Sequence, residues 1–106
     1  MGQPAAIVVN LRGGPVIGPM LRIDRKTPWG NPFKIEPGIG RELVVNRFRQ
    51  WWYADPQGRK RLEFIAALDA VRNPLIGPIQ LACWCSPLPC HGDVLAEYAQ
   101  RAQAMR

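Results

Sequence analysis

Between positions 83 and 93 the chain reads Cys83-Trp84-Cys85-Ser86-Pro87-Leu88-Pro89-Cys90-His91-Gly92-Asp93, holding all three of its cysteines and its one histidine. Three chemistries are open to such a set. Thiolate and imidazole are ligands that zinc accepts, so Cys83, Cys85, Cys90 and His91 are a candidate ligand set. The spacing is unlike the Cys-x2-Cys pairs of structural zinc sites, and adjacent Cys90 and His91 would have to bend toward one ion, so zinc is not the favoured reading. Alternatively one thiol is a nucleophile and His91 its proton carrier, which makes Cys90, His91 and Asp93 the candidate catalytic residues. The third reading is structural: cysteine packs as a small hydrophobe, and His91 with Asp93 would cap a helix.

A second segment, Trp29-Gly30-Asn31-Pro32-Phe33, has the makings of a ligand loop. Gly30 permits unusual backbone angles or close approach of a ligand. Asn31 offers a donor and an acceptor to a base edge or a ribose. Trp29 and Phe33 either stack on a base or fasten a tight turn to the core. Arg12, Arg22, Arg25 and Lys26 flank these elements and suit phosphate.

These groups need a scaffold. Ala5–Leu11 is a continuous apolar run of strand length, the pattern of a strand covered on both faces, and Gly13, Gly14 and Pro15 end it. Val16–Ile23 is interrupted by Gly18 and Pro19, which restrict any strand there to a sheet edge. Thr27–Gly40 is rich in Pro and Gly and reads as an ordered loop. From Arg41 to about Asp55, Val44, Phe48, Trp51 and Trp52 recur at helical steps. A second helix from about Arg59 to Arg72 carries Phe64, Leu68 and Val71 and stops at Asn73-Pro74. Arg47, Arg49, Arg59 and Arg61 form a solvated face. Ile79–Cys85 is a strong strand, with Cys83 and Cys85 on one side and Trp84 on the other. After Ser86-Pro87-Leu88-Pro89, a last helix buries Val94, Leu95, Tyr98, Ala102 and Met105.

The order strand, helices, strand, helix predicts an α/β fold: a small, single, mainly parallel, Rossmann-like sheet covered by about three helices, in one domain spanning residues 1–106. If the two strong strands are parallel neighbours, their helical crossover is right-handed. Asn10 and Arg12 then lie at the same sheet edge as Cys85, where such folds place ligand crevices. Cys90 and His91 fall where the last helix begins, and unpaired N–H groups there should make a thiol ionise more readily.

The chain is long enough for one core, and its 47% hydrophobic and 21% charged residues are ordinary for a globular protein. Fourteen Lys and Arg against eight Asp and Glu leave a net charge of +6, which favours anionic partners such as phosphates, nucleotides or nucleic acid. No signal peptide or membrane span is readable, so no membrane partner is expected, and clustered thiols fit a reducing compartment. Four tryptophans leave room for an apolar self-association surface.

Val8-Val9-Asn10-Leu11-Arg12, Ile23-Asp24-Arg25 with Pro28-Trp29-Gly30-Asn31-Pro32-Phe33, and Leu81-Ala82-Cys83-Trp84-Cys85 followed by Pro87 and Cys90-His91-Gly92-Asp93-Val94-Leu95 together resemble family four-three-two-six of the domains of unknown function. Its members are small proteins or domains, common in bacteriophages and also found in bacteria. The resemblance spans nearly the whole chain and implies a recurring Asn-Pro-Phe loop and a recurring Cys-Trp-Cys/Cys-His segment in one small domain of a bacterial or phage-infected cytoplasm. It departs at one turn: the family's usual Ile-Gly-Arg is Ile23-Asp24-Arg25 here, which brings a charged side chain to that position.

The expected function is to bind or process a nucleotide, nucleoside or nucleobase in a crevice of Asn10, Arg12, Arg25, Gly30, Asn31 and the Cys/His segment. The alternative is a basic nucleic-acid-binding or zinc-stabilised interaction module without catalysis.

Overall fold

In the computed structural model the described residues are 4–14, 16–34, 36–73, 75–85 and 88–105, so the breaks expected at Pro15, Pro74 and Ser86-Pro87 lie outside them. The elements run β1 (Ala6–Asn10), β2 (Met20–Arg22), α1 (Arg41–Ala54), α2 (Arg59–Val71), β3 (Ile79–Cys83) and α3 (His91–Ala104). The strands form a three-stranded sheet in the order β1-β3-β2, with both pairings parallel. This is the small α/β fold that the element order predicts.

Strand β3 takes the centre because its residues are apolar on both faces, with Ile79, Leu81, Ala82 and Cys83 all buried. The register sets Ala6, Val8 and Asn10 of β1 level with Ile79, Leu81 and Cys83, and Leu21 of β2 level with Leu81. On that face Phe48, Trp52, Phe64, Leu68, Val94 and Leu95 from the helices complete the core. The double-sided covering expected for β1 does not occur. It is an edge strand, and Ile7, whose side chain alternates to the other face, is 38% exposed. Strand β2 is the short edge strand that Gly18 and Pro19 imply, and Pro19, without an N–H, joins the sheet only by accepting a hydrogen bond from Gln80 N–H at 2.9 Å.

The loop between β2 and α1 is fastened as its composition suggests. Asp24 O accepts from Thr27 N at 3.0 Å and from Thr27 Oγ1 at 2.8 Å, and Gly30 N donates to Thr27 O at 3.1 Å. Trp29 is buried edge-on against Phe64, with ring centroids 5.5 Å apart, so it is a core anchor and not a stacking platform.

Two helical expectations need correction. Arg61 does not lie on a solvated face: it donates to Trp52 O at 2.6 Å and to Asp55 O at 2.8 Å, satisfying carbonyls that the end of α1 leaves unpaired. Met105 falls just past the last turn of α3 and is 87% exposed, while Ala99 takes a buried place on that helix. At the other end of α3 a capping box forms, in which Cys90 Sγ accepts from Gly92 N at 3.3 Å and Asp93 Oδ2 accepts from Cys90 N at 3.0 Å. No helix among the described residues is long and apolar enough to cross a membrane.

Candidate functional site

A cleft of about 260 Å3 opens beyond the carboxyl ends of β2 and β3, where α1 and α3 begin. Its buried side carries Cys83, Cys90 and His91, and its exposed side carries Arg25 and Lys26. Asn31, Phe33, Arg41 and Cys85 are also part of its lining. The structure therefore brings together the Asn-Pro-Phe loop and the thiol segment, the two sequence features that looked most chemical.

Four candidates stand outside the cleft lining, each for a local reason. Strand β1 lies on the far side of β3 from β2, and its tip is outside the cleft lining, meeting it only where Asn10 Nδ2 donates to Trp84 O at 3.5 Å. Asn10 caps the short 3-10 turn that follows β1, its Oδ1 accepting from Arg12 N at 2.7 Å, and Arg12 is exposed. Gly30 supports the cleft from behind: a Cβ there would sit 2.6 Å from Arg25 Cα and 2.7 Å from Asp24 O, so the close approach is by the protein's own backbone and not by a ligand. Asp93 is engaged in the capping box.

Each polar group that does line the cleft has a defined state. Asn31 Oδ1 accepts from Phe33 N at 2.8 Å, which leaves the amide N–H groups as its remaining function. The residue is thus a donor, suited to a carbonyl or phosphate oxygen. His91 Nε2 lies 2.6 Å from Ile23 O; facing a carbonyl, it must carry the proton and donate. Burial holds the imidazole below its ordinary value of 6.5, against the opposing pull of that same hydrogen bond. In this neutral tautomer the lone pair is on Nδ1.

Cys90 behaves opposite to expectation. Its Sγ lies 3.5 Å from Cys83 Sγ, and the neighbouring thiol, reinforced by burial, pushes its pKa well above the ordinary 9.0 although Gly92 N–H points at the sulfur. Two stacked effects, a second sulfur and desolvation, outweigh the amino end of α3. The sulfur faces Cys83 and Gly92 while His91 Nε2 is held by Ile23 O, which leaves Nδ1 as the ring atom open to a proton-transfer partner.

Asp24 is the charge that the family-like turn acquires here. It is 6% exposed and bound in a two-pronged pair by Arg22, at 2.6 and 3.2 Å, so it does not leave the cleft negative. Burial raises its pKa, but the Arg22 hydrogen bonds and charge prevail and hold it below 3.8. A carboxyl lowered in the folded state contributes stability that is present above its unfolded value and lost as pH falls through its folded value. This pair should therefore lower the melting temperature as pH falls below about 4, and thermal melts of an Asp24→Asn variant should show a shallower acid limb. An unchanged limb would show that this pair carries none of the acid sensitivity.

Arg41 is the lining residue that composition and periodicity overlook. It is the first residue of α1, where a cation opposes the helix dipole. A locally unfavourable charge at a helix start is the signal that could have marked it. Arg25 and Lys26 form no hydrogen bond or ion pair with a described residue, and Arg41 makes a 3.5 Å contact to Pro89 O.

Residues 10–101 match a protein family described as Domain of unknown function (DUF4326). The chain is also similar to an uncharacterized 12.4 kDa protein in the nrdA-td intergenic region of Enterobacteria phage T4, with 32% identity over 81 residues, which are 76% of this chain and 68% of that protein. No solved structure matches.

Proposed function

Given that the chain belongs to the DUF4326 family, we propose that it binds a nucleotide or a similar small phosphate-bearing molecule in the cleft between the Asn-Pro-Phe loop and the Cys/His segment. The observation that carries this reading is the convergence of Arg25, Lys26 and Arg41 on one cleft lined also by the first residues of α1 and α3. Cations without acidic partners among the described residues and the amino end of α1, which no side chain caps, favour an anion at the same place. Asn31 adds a neutral donor, and Phe33 offers an apolar surface for a ring.

The size argues for a small ligand. A volume of about 260 Å3 is just below the roughly 300–1,000 Å3 of pockets that enclose drug-sized molecules. It suits a base or sugar with its phosphate toward the open, basic side.

The test is a panel of nucleosides and their mono-, di- and triphosphates, read by thermal shift and titration calorimetry. Binding should saturate and should require phosphate. A hydrogen bond to a charged group contributes about 1.5–3 kcal/mol, so Arg25→Gln should weaken it roughly 10- to 150-fold. A flat response over the whole panel would refute the proposal. Binding of nucleic-acid polymer that weakens steeply with salt, with no response to free nucleotides, would instead support the non-catalytic alternative suggested by the net charge of +6.

A further inference from the structure

We propose that Cys83, Cys85 and Cys90 form a three-thiolate site for a zinc ion, with the fourth coordination position open to the cleft. The sulfurs of these residues all lie within 4.8 Å of one another, and those of Cys83 and Cys90 are 3.5 Å apart. Zinc–sulfur bonds of about 2.3 Å at tetrahedral angles place sulfurs roughly 3.8 Å apart. The observed spacing brackets that distance, so an ion requires side-chain adjustment and no movement of the backbone elements.

The three donors are held by different parts of the fold. Cys83 is the last residue of β3, Cys85 follows two residues later, and Cys90 is the N-cap of α3. The sequence marks all three thiols as candidate ligands but with spacing unlike that of structural zinc sites, because the strand end and the helix start meet only in the folded chain. His91, a member of the ligand set considered from sequence, does not join the sulfur cluster. Its Nε2 is committed to Ile23 O.

The electrostatics of the site suit a cation that binds with loss of protons. Three thiolates and one Zn2+ total a single negative charge, and Arg25, Lys26 and Arg41 line the same cleft to offset it. Gly92 N–H, 3.3 Å from Cys90 Sγ, is placed to stabilise a thiolate once the metal has displaced the thiol proton. All three cysteines line the cleft, so an ion among them has an accessible side. Three protein ligands with one open position is the arrangement in which zinc takes a water or a ligand atom. This inference stands on the sulfur geometry and does not depend on nucleotide binding.

The experiment uses the untagged, fully reduced chain, stripped with a chelator and then titrated with Zn2+ and, separately, with Co2+. One metal per chain is expected, with proton release on Zn2+ binding and thiolate-to-cobalt charge-transfer absorption in the near ultraviolet. Removing an outer-shell partner already weakens metal sites about 10- to 100-fold, so Cys85→Ser, which alters the least buried donor, should weaken Zn2+ by more than about a hundredfold. Circular dichroism verifies that this variant is folded. Zinc below about a tenth of an equivalent per chain, or affinity unchanged in folded Cys85→Ser, would overturn the proposal.

Discussion

Phe48→Ala should destabilise the protein by about 3–5 kcal/mol, the usual result of emptying a fully enclosed aromatic site. The Phe48 ring has no exposure to solvent and packs between α1 and the start of α3. It stacks on Trp52 at a centroid distance of 5.8 Å and an interplanar angle of 19°, and meets the His91 ring edge-on at 5.2 Å. Its removal therefore opens a cavity directly beneath a residue that lines the cleft. For a domain whose total stability is of the order of 5–15 kcal/mol, that is a large fraction. At roughly 4 °C or more per kcal/mol, melting should fall by at least about 12 °C. Leu62→Ala on α2 is the control, because Leu62 is 67% exposed and a surface truncation should change stability by no more than about 0.5 kcal/mol. Denaturant unfolding of both variants checks the contrast. A loss below about 1.5 kcal/mol for Phe48→Ala would mean that the core collapses around the gap and does not hold His91 in place.

The second large effect is expected at Gly30, where a single methyl group should disturb both stability and ligand binding. The contact is with backbone, at 2.6 Å to Arg25 Cα and 2.7 Å to Asp24 O, so no side chain can rotate to relieve it. Either the Asn31 turn lifts or the Asp24–Arg25 segment retreats. Forcing a methyl group into a closed contact usually costs about 1–3 kcal/mol. Asn31 and Arg25 stand on opposite sides of this contact, and both line the cleft. Gly30→Ala should accordingly reduce nucleotide affinity more than Asn31→Ala, which removes the amide donor and the bond to Phe33 N and should cost about 0.5–1.5 kcal/mol of binding for the donor. Thermal melts and calorimetry on the two variants separate the cases. A Gly30→Ala protein that melts and binds like the wild type would show that the two segments are not in contact.

A related constraint explains why glycine follows the Cys-His pair. A Cβ on Gly92 would approach Ile23 Cδ1 at 2.8 Å and Val8 Cγ1 at 3.2 Å, so a side chain there would force these core side chains to shift for the first turn of α3 to pack this closely on the sheet. The position of Cys90 and His91 in the cleft depends on that packing. In this sense the Cys-His-Gly-Asp stretch is as much a docking device for α3 as a set of reactive groups.

The helices, the central strand and the fastened loop were legible from the order of residues because their causes are local or periodic. The apolar steps Val44, Phe48, Trp51 and Trp52, the run Ile79–Cys85, which pairs as a strand as far as Cys83, and the Pro/Gly-rich segment around Trp29 each signal their own conformation, although Trp51 is 37% exposed. The dense Cys/His stretch pointed to one side of the cleft in the same way. What that order could not show was neighbourhood. The cleft opens beside β2 and not β1 because β3 inserts between them, and strand order arises from how the chain crosses over and not from any strand's own composition. The convergence of Cys83, Cys85 and Cys90, the packing of Gly30 on Asp24–Arg25, and the pairing that neutralises Asp24 are contacts through space. So is the rise in the Cys90 thiol, since it comes from a sulfur seven residues away. Local pattern governs conformation, whereas charge state and ligand geometry depend on distances that exist only after the core has closed.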